Sequence, residues 1–363
     1  MFSVTNQTAA ARVLASGPKA IALAAMACVC VLHRAAAQNE PEVLPLFLDA
    51  EPLALTIEAP FRQIARKSRQ RPEYDGVLKY SDAGGQTFAL GVELRIRGNS
   101  RLRECDFPPL RLDFDRHALE GTVFAGQNRL KLVTLCKRQD RYRDYLQLEY
   151  QLYRIFNLLT DYSFRVRWAT IEYVTTDGRR DEPFTEPAFL IEEDWEVAAR
   201  HGMDPREVES LRIDELDRRH VALLALFQYM IGNTDWSGVQ GPEGEVCCHN
   251  GKVIGSPGSP AIVLPYDFDQ SGLIATEYAR PSEILSIRSV RERLYRGYCP
   301  MNPELGWAVA RFNARREAIE QTLAMSTASD AARDEALAFL RESYAIVNDP
   351  SRLQSEIVDH CRG

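Results

Sequence analysis

The segment Gly232–Gly272 constrains the fold of this chain more than any other, because buried elements flank and end it. A strongly apolar helical run, Val221–Ile231, precedes it, and Ala261–Tyr266 near its end has the continuous apolar pattern of a buried strand. Asp235 follows the predicted helix, and Asp267-Phe268-Asp269 follows the predicted strand. We therefore expect two acidic loops, each placed beside a rigid element.

Asn250 lies between the two acidic loops and adds an amide group to them. Chemistry on phosphate needs such a set, because one carboxylate orients a hydroxyl while another carboxylate and an Asn hold magnesium against the phosphate oxygens. The alternative is a pair of Asp-rich turns, which form because Asp side chains bond their own backbone.

Three short motifs carry a resemblance to a known family, namely Asn233-Thr234-Asp235, His249-Asn250 and Tyr266-Asp267-Phe268-Asp269. Together they resemble the catalytic core of atypical kinases, notably the CotH family of spore-coat kinases, and HipA-like kinases share the same logic. The resemblance implies a protein-kinase-like fold that binds ATP with Mg²⁺ or Mn²⁺.

The same resemblance implies a role for each residue. Asp235 would be the catalytic residue that orients the acceptor hydroxyl. The metal ligands would be Asn250, Asp267 and Asp269, with Asp267 preferred to Asp269 because it follows the strand directly. Such kinases place the Asn five residues after the catalytic Asp, where this chain has Gln240, so Asn250 matches only if residues 238–245 form an insertion.

The segment Arg97-Gly98-Asn99-Ser100-Arg101 resembles the R-G-N-S segment of CotH-type proteins, which comes early in their nucleotide-binding lobe. Gly and Asn at the end of a strand permit unusual backbone angles, and amides with flanking Arg residues suit anions. We therefore include Arg97 among the cofactor-binding candidates, with a plain basic turn as the alternative.

Lys131 and Glu149 complete the cofactor-binding candidates. Lys131 lies between two leucines of a predicted strand and points away from them, while Glu149 lies on the apolar face of a predicted helix. A buried carboxylate needs a partner. We expect Lys131 to be that partner, as in the lysine–glutamate pair that positions phosphates in kinases, with Arg165 or Arg167 as the alternative.

The order of the predicted elements gives an α+β chain. Strands dominate residues 38–194, and beyond Glu196 the chain turns helical. With the resemblance, this predicts a two-lobed, protein-kinase-like fold with a β-rich, nucleotide-binding N-terminal lobe (38–194) and a helical, catalytic C-terminal lobe (195–363). The predicted strands are Leu53–Ile57, Val77–Tyr80, Thr87–Ile96, Leu110–Phe114, Arg129–Val133, Phe164–Val174 and Ala188–Ile191.

Residues 1–37 have the pattern of a secretory signal peptide. Lys19 precedes the apolar run Ala20–Leu32, and Ala35-Ala36-Ala37 is a cleavage site, so we expect a periplasmic or secreted protein. An uncleaved anchor is the alternative, and nothing later in the sequence could span a bilayer. Cleavage would change the formal net charge from −7 to −10, which argues against nucleic acid or an anionic membrane as the main partner.

Export also decides how the cysteines are interpreted. Six of the eight remain after residue 37, and an even number in an oxidising compartment predicts disulfides. Cys105 and Cys136 flank predicted neighbouring strands, so we expect them to be bridged, and Cys299 to pair with Cys247 or Cys248.

The predicted function is phosphate transfer from ATP, with Mg²⁺, to a protein or another extracytoplasmic acceptor. The nucleotide and that acceptor are the expected partners. An inactive pseudokinase that acts as a scaffold of the cell envelope is one alternative. A divalent-metal hydrolase that uses Asp235, Asp267 and Asp269 is the other.

Overall fold

The computed structural model of the chain describes residues 43–99, 101–178 and 182–363. The residues from Glu42 to Gly363 belong to one compact unit. The predicted signal peptide and its cleavage site near Ala37 lie outside the described residues, as does Ser100. No helix among the described residues combines the length and the apolar character needed to cross a membrane.

Most strands occur in the first half of the described chain. The strands are β1 Leu53–Ala59, β2 Glu73–Ser81, β3 Thr87–Ile96, β4 Leu110–Asp113, β5 Arg129–Thr134, β6 Val166–Thr175, β7 Phe184–Ile191, β8 Asp204–Pro205, β9 Gly251–Gly255 and β10 Ile262–Pro265.

Most helices occur after β7. The α-helices are α1 Phe61–Ala65, α2 Arg101–Glu104, α3 Asp140–Leu159, α4 Asp194–Arg200, α5 Arg218–Met230, α6 Leu305–Ala324, α7 Asp330–Val347 and α8 Pro350–Glu356. Short 3₁₀ turns cover Pro45–Phe47, Arg116–Leu119, Ile213–Glu215, Cys299–Glu304 and Val358–His360. Ser329 caps α7, because its hydroxyl accepts a hydrogen bond from the Ala332 amide.

The first seven strands close into a barrel in the order β1-β2-β3-β4-β5-β7-β6. Neighbouring strands are antiparallel except for β6, which pairs in parallel with β1 from Leu53↔Ala169 to Ala59↔Thr175. This closure contradicts the predicted two-lobed, protein-kinase-like fold with a helical C-terminal lobe. The chain is α+β, but its sheet is a closed mixed barrel with helices attached. The predicted boundary after residue 194 falls at the start of α4, and the division into domains stays a prediction.

Alternation along β5 and β7 separates two hydrophobic clusters. Leu132 and Leu190 belong to the cluster inside the barrel, whereas Val133 and Phe189 belong to the cluster built around α3, α5, α6 and α7. Successive side chains of a strand point to opposite faces, so these two strands line the barrel on one face and contact the helices on the other.

The second sheet, β10-β9-β8, lies within the later half of the chain and packs into the helical cluster. In β10 every residue is buried, as its apolar pattern predicts. The strand β9, Gly251–Gly255, pairs with it antiparallel, with Gly251 opposite Pro265. This hairpin brings the loops before β9 and after β10 to the same end.

Three pairs of cysteines lie at disulfide distance among the described residues. The pair Cys105–Cys136 confirms the prediction. The predicted pairing of Cys299 with Cys247 or Cys248 is wrong, because Cys299 pairs with Cys361 and the two adjacent cysteines pair with each other. A backbone bridge beside Cys299, between Tyr298 and Arg362, brings the chain end to this position.

Candidate functional site

The end of α5 positions Asp235. Gly232 ends the helix with φ of +67°, and a Cβ there would lie 2.7 Å from the Phe339 ring, so the turn needs a glycine. Asn233 follows, and its Oδ1 accepts a hydrogen bond from the Asp235 amide at 2.9 Å. Trp236, the residue after Asp235, is buried and fixes the other side of the loop. The loop holds Asp235 in place, and its side chain, which is 41% exposed, is accessible.

Two side chains from the loop before β9 bind Asp235. His249 places its Nε2 2.7 Å from Oδ1 of Asp235. Asn250 donates from Nδ2 to Oδ2 of Asp235 at 2.9 Å and to its backbone oxygen at 2.7 Å. A carboxylate only accepts hydrogen bonds, so the amide nitrogen of Asn250 must face it. The amide oxygen of Asn250 is therefore left for another partner.

The β9–β10 hairpin brings Asp267 to the same place. The Tyr266 amide donates to the Asn250 carbonyl at 3.1 Å, and the Asp267 amide donates to the hydroxyl of Tyr153 on α3 at 2.9 Å. Asn250 and Asp267 both have positive φ, +49° and +63°. Asn and Asp tolerate this conformation better than most residues, and such backbone angles are concentrated at functional sites.

The charges of Asp235, Asp267 and Arg97 shift the pKa values of His249 and Tyr266. The hydrogen bond to Asp235 raises the pKa of His249 above its ordinary value, and the charge of Asp267 adds to this effect. His249 is thereby favoured as an imidazolium that donates to Asp235. Burial and the charge of Asp267 raise the pKa of Tyr266 to about 12, and Arg97 partly offsets this. The positive charge of Arg97 therefore acts on Tyr266, the residue before Asp267.

Arg101 binds three carboxylates behind the exposed part of the site. Its Nη2 donates to both oxygens of Glu149 at 2.8 Å and to Oδ1 of Asp267 at 3.1 Å. Its Nε donates to Oδ2 of Asp269 at 3.0 Å, and that oxygen also accepts from the Tyr278 hydroxyl at 3.0 Å. One guanidinium thus connects α2, α3 and the loop after β10.

Burial sets the electrostatics of this cluster. Burial raises the pKa of Glu149 to about 7 and that of Asp269 to about 6, although Arg101 lowers both. Burial opposes the charge of Arg101, but Asp269, Glu149 and Asp267 together raise its pKa. Three carboxylates around one cation leave an excess of negative charge, so protons are held here at higher pH than by ordinary carboxyls.

The predicted ion pair between Lys131 and Glu149 is wrong. Glu149 is buried on the apolar face of α3, as its spacing predicts, but its partner is Arg101. Lys131 points away from the barrel interior, and its Nζ lies 3.0 Å from Glu193 and 5.3 Å from the centre of the Phe164 ring. Sequence spacing could not choose between these partners, because α2 and the Glu193 loop reach the same face of β5 and α3.

The site offers few ligands for a metal. Among residues 43–99, 101–178 and 182–363, no group of three or more His, Cys, Asp and Glu residues is arranged to hold an ion. Asp269 is buried and bound by Arg101 and Tyr278, whereas the Asp267 side chain is 33% exposed. Both oxygens of Asp235 are already bound by His249 and Asn250, so Asp267 and the amide oxygen of Asn250 are the oxygen ligands that remain for an ion. Mg²⁺ commonly takes one or two protein ligands with phosphate and water, so this pair fits a nucleotide-bound ion.

Arg101 and His249 are functional residues that the sequence motifs did not predict. Both residues belong to motifs described above, since Arg101 ends the Arg97–Arg101 segment and His249 precedes Asn250. The Arg101 side chain binds protein carboxylates, whereas the segment was predicted to bind an anion through its amides and arginines. A buried Glu149 without an assigned cation was the available signal for Arg101.

No protein-family model matches the chain, and no curated protein matches it.

Proposed function

We propose that the chain transfers the terminal phosphate of ATP, bound with Mg²⁺ or Mn²⁺, to the hydroxyl of an acceptor. The observation that carries this proposal is the convergence of Asp235, Asn250 and Asp267. These residues come from two loops, yet the amide of Asn250 binds Asp235, and the β9–β10 hairpin places Asn250 beside Asp267. An accessible base next to two oxygen ligands is the arrangement that phosphoryl transfer requires.

Asp235 would act on the acceptor. Its carboxylate is held by His249 and Asn250, and its exposed lone pairs can accept the hydrogen bond of the incoming hydroxyl. As the hydroxyl oxygen attacks the terminal phosphorus and ADP leaves, the hydroxyl proton would pass to Asp235.

Asp267 and the amide oxygen of Asn250 would hold the divalent ion. Bound with the nucleotide, such an ion neutralises the charge on the phosphate oxygens. Arg101 positions Asp267 through its 3.1 Å contact, and Arg97, whose charge acts on the neighbouring Tyr266, would bind a phosphate oxygen. Lys131 is held by Glu193, so we do not assign it to the phosphates.

We further propose that the reaction takes place outside the cytoplasm, on a protein or another envelope component. Three cysteine pairs at disulfide distance favour an oxidising compartment. The signal-peptide pattern of residues 1–37 points the same way.

A catalytically inactive scaffold is the second candidate. The observation that favours it is Arg101, which already neutralises part of the charge of Glu149, Asp267 and Asp269. A protein cation in this position can replace a metal ion structurally without supporting transfer.

Incubation of the purified protein with terminally labelled ATP, Mg²⁺ or Mn²⁺ and a mixed hydroxyl acceptor such as casein tests the proposal. We expect label on the acceptor or on the chain itself, and a loss of about 100-fold or more in Asp235→Asn, in line with the usual contribution of a general base. Asp334→Asn, an exposed charge on α7, is the matched control and should keep full activity.

The other outcomes separate the candidates. Release of labelled phosphate to water, with none on any acceptor, identifies a hydrolase. Neither transfer nor nucleotide binding identifies the scaffold. Equal transfer by wild type and Asp235→Asn places the reaction elsewhere.

A further inference from the structure

A cavity separate from the candidate site lies at one end of the barrel and has a volume of about 600 Å³. It is bounded by α1, the segments before β4 and after β5, the end of β6 and the start of β7. Asp235, Asn250 and Asp267 do not line it. Its volume is that of a typical small-molecule site, and the mouths of barrels are common places for such sites.

Aromatic rings form the main wall of this cavity. Tyr173 lies at their centre, with ring-centre distances of 5.2 Å to Phe61, 5.2 Å to Phe107 and 5.0 Å to Phe184. The first two contacts are edge-to-face and the third is stacked. Such a wall offers both ring edges and ring faces, which favours a flat aromatic ligand over a flexible aliphatic one.

One polar group of this wall lacks a partner. Tyr173 is 1% exposed, and its hydroxyl has no hydrogen-bond partner among the described residues. A buried hydroxyl left unpaired is unfavourable, so a ligand that supplies a partner recovers that free energy. The three phenylalanine rings around it cannot supply one.

The charged side chains at the cavity balance each other. Arg138 lies 3.4 Å from Glu186, which also binds Arg143 at 2.5 Å. The charged residues that line the cavity are Arg62, Lys137, Arg138, Asp106, Glu182 and Glu186. Equal numbers of cations and carboxylates favour an uncharged ligand over an anion or a cation.

We propose that this cavity binds an uncharged aromatic compound of one or two rings that carries a hydroxyl or carbonyl group. The rings lie against Phe61, Phe107 and Phe184 and displace these side chains enough for the polar group to reach the Tyr173 hydroxyl, which they enclose in this structure. This site is independent of the proposed phosphotransferase site, and neither depends on the other.

Fluorescence titration of the purified protein with 2-naphthol and with naphthalene tests the proposal. Naphthalene is the more apolar compound, so unspecific partition favours it. A hydrogen bond to Tyr173 reverses this order, and we expect 2-naphthol to bind about fivefold to tenfold more tightly, which is the effect of one hydrogen bond. In Tyr173→Phe this preference should disappear, while thermal stability should not fall, because the variant removes an unpaired buried hydroxyl.

A second variant tests the place of binding. Ala65 is exposed and lines the cavity, so Ala65→Trp should weaken binding of both compounds about tenfold or more without disturbing the core. Ala199→Trp, at an exposed position of α4 outside the cavity, should bind both as wild type does. No saturable binding of 2-naphthol, tighter binding of naphthalene by wild type, or unchanged binding by Ala65→Trp would each overturn the proposal.

Discussion

Replacing Arg101 with methionine removes the cation that three carboxylates share. In the wild type, Glu149 and Asp269 are 2% and 4% exposed, and Arg101 is their common charged partner. The variant keeps a side chain of similar length but leaves both carboxylates buried without a counter-ion. We expect a large loss of stability at neutral pH.

The magnitude follows from the burial. Removing one partner of a buried ion pair costs about 3–5 kcal/mol. With a urea dependence of about 3 kcal/mol per molar for a chain of this size, the midpoint should fall by about 1–1.7 M.

The loss should depend on pH in a definite direction. The pKa values of Glu149 and Asp269 are raised to about 7 and about 6, so the folded wild type binds more protons than the unfolded chain between about pH 4 and 7. Its stability from these groups is therefore present at low pH and declines as pH rises through those values. In Arg101→Met the decline should be steeper. At pH 5 both carboxyls are protonated, and the difference from wild type should shrink to about 1–2 kcal/mol.

Urea unfolding at pH 7 and pH 5, followed by circular dichroism without reductant, measures both quantities. Arg95→Met is the matched control, because Arg95 forms an exposed ion pair with Glu73 at 3.3 Å and should cost less than about 1 kcal/mol. A loss at pH 7 no larger than that of the control, or a loss at pH 5 as large as at pH 7, would refute this reasoning.

Three further changes should act as follows. Asp235→Asn should lower the pKa of His249 towards its ordinary value, which NMR of the ring protons measures. In the wild type the ion pair stabilises the fold fully below the unfolded His pKa of about 6.5, and this stabilisation declines as pH rises through the folded value. Replacing Cys105 and Cys136 with serine should cost roughly 3–4 kcal/mol for a separation of 31 residues, measured by thermal or urea unfolding against oxidised wild type. Lys131→Met should cost about 3 kcal/mol by leaving Glu193 unpaired, and Lys131→Met with Glu193→Gln should recover part of it; equal losses in the two variants would exclude the pair.

The local elements of this chain could be predicted because local patterns determine them. The alternating residues of Thr87–Ile96 gave the bounds of β3, and the apolar spacing placed Glu149 on the buried face of α3. The strand β9 has glycine at both ends and a lysine between, so it lacks the apolar pattern by which β10 was recognised.

Contacts between distant segments were predicted less well. The barrel closes because β6 pairs with β1, more than a hundred residues earlier, and no local pattern records that pairing. The choice of Arg101 over Lys131 as the partner of Glu149 depends on the same closure, which fixes where α2 lies. Asn250 reaches Asp235 across residues 238–245 because the two ends of that segment are joined, with the Ser237 amide bonded to the His249 carbonyl.

Thermal unfolding with ATP and Mg²⁺ tests whether Asp235, Asn250 and Asp267 form the proposed site for a divalent ion bound with ATP. A ligand that binds only the folded state at about 100 times its dissociation constant adds about 2.7 kcal/mol, so the midpoint should rise by several degrees with both ATP and Mg²⁺. The rise should be lost in Asp267→Asn and kept in Asp235→Asn and in the control Asp334→Asn. No rise in the wild type, or the same rise in Asp267→Asn, would contradict the account.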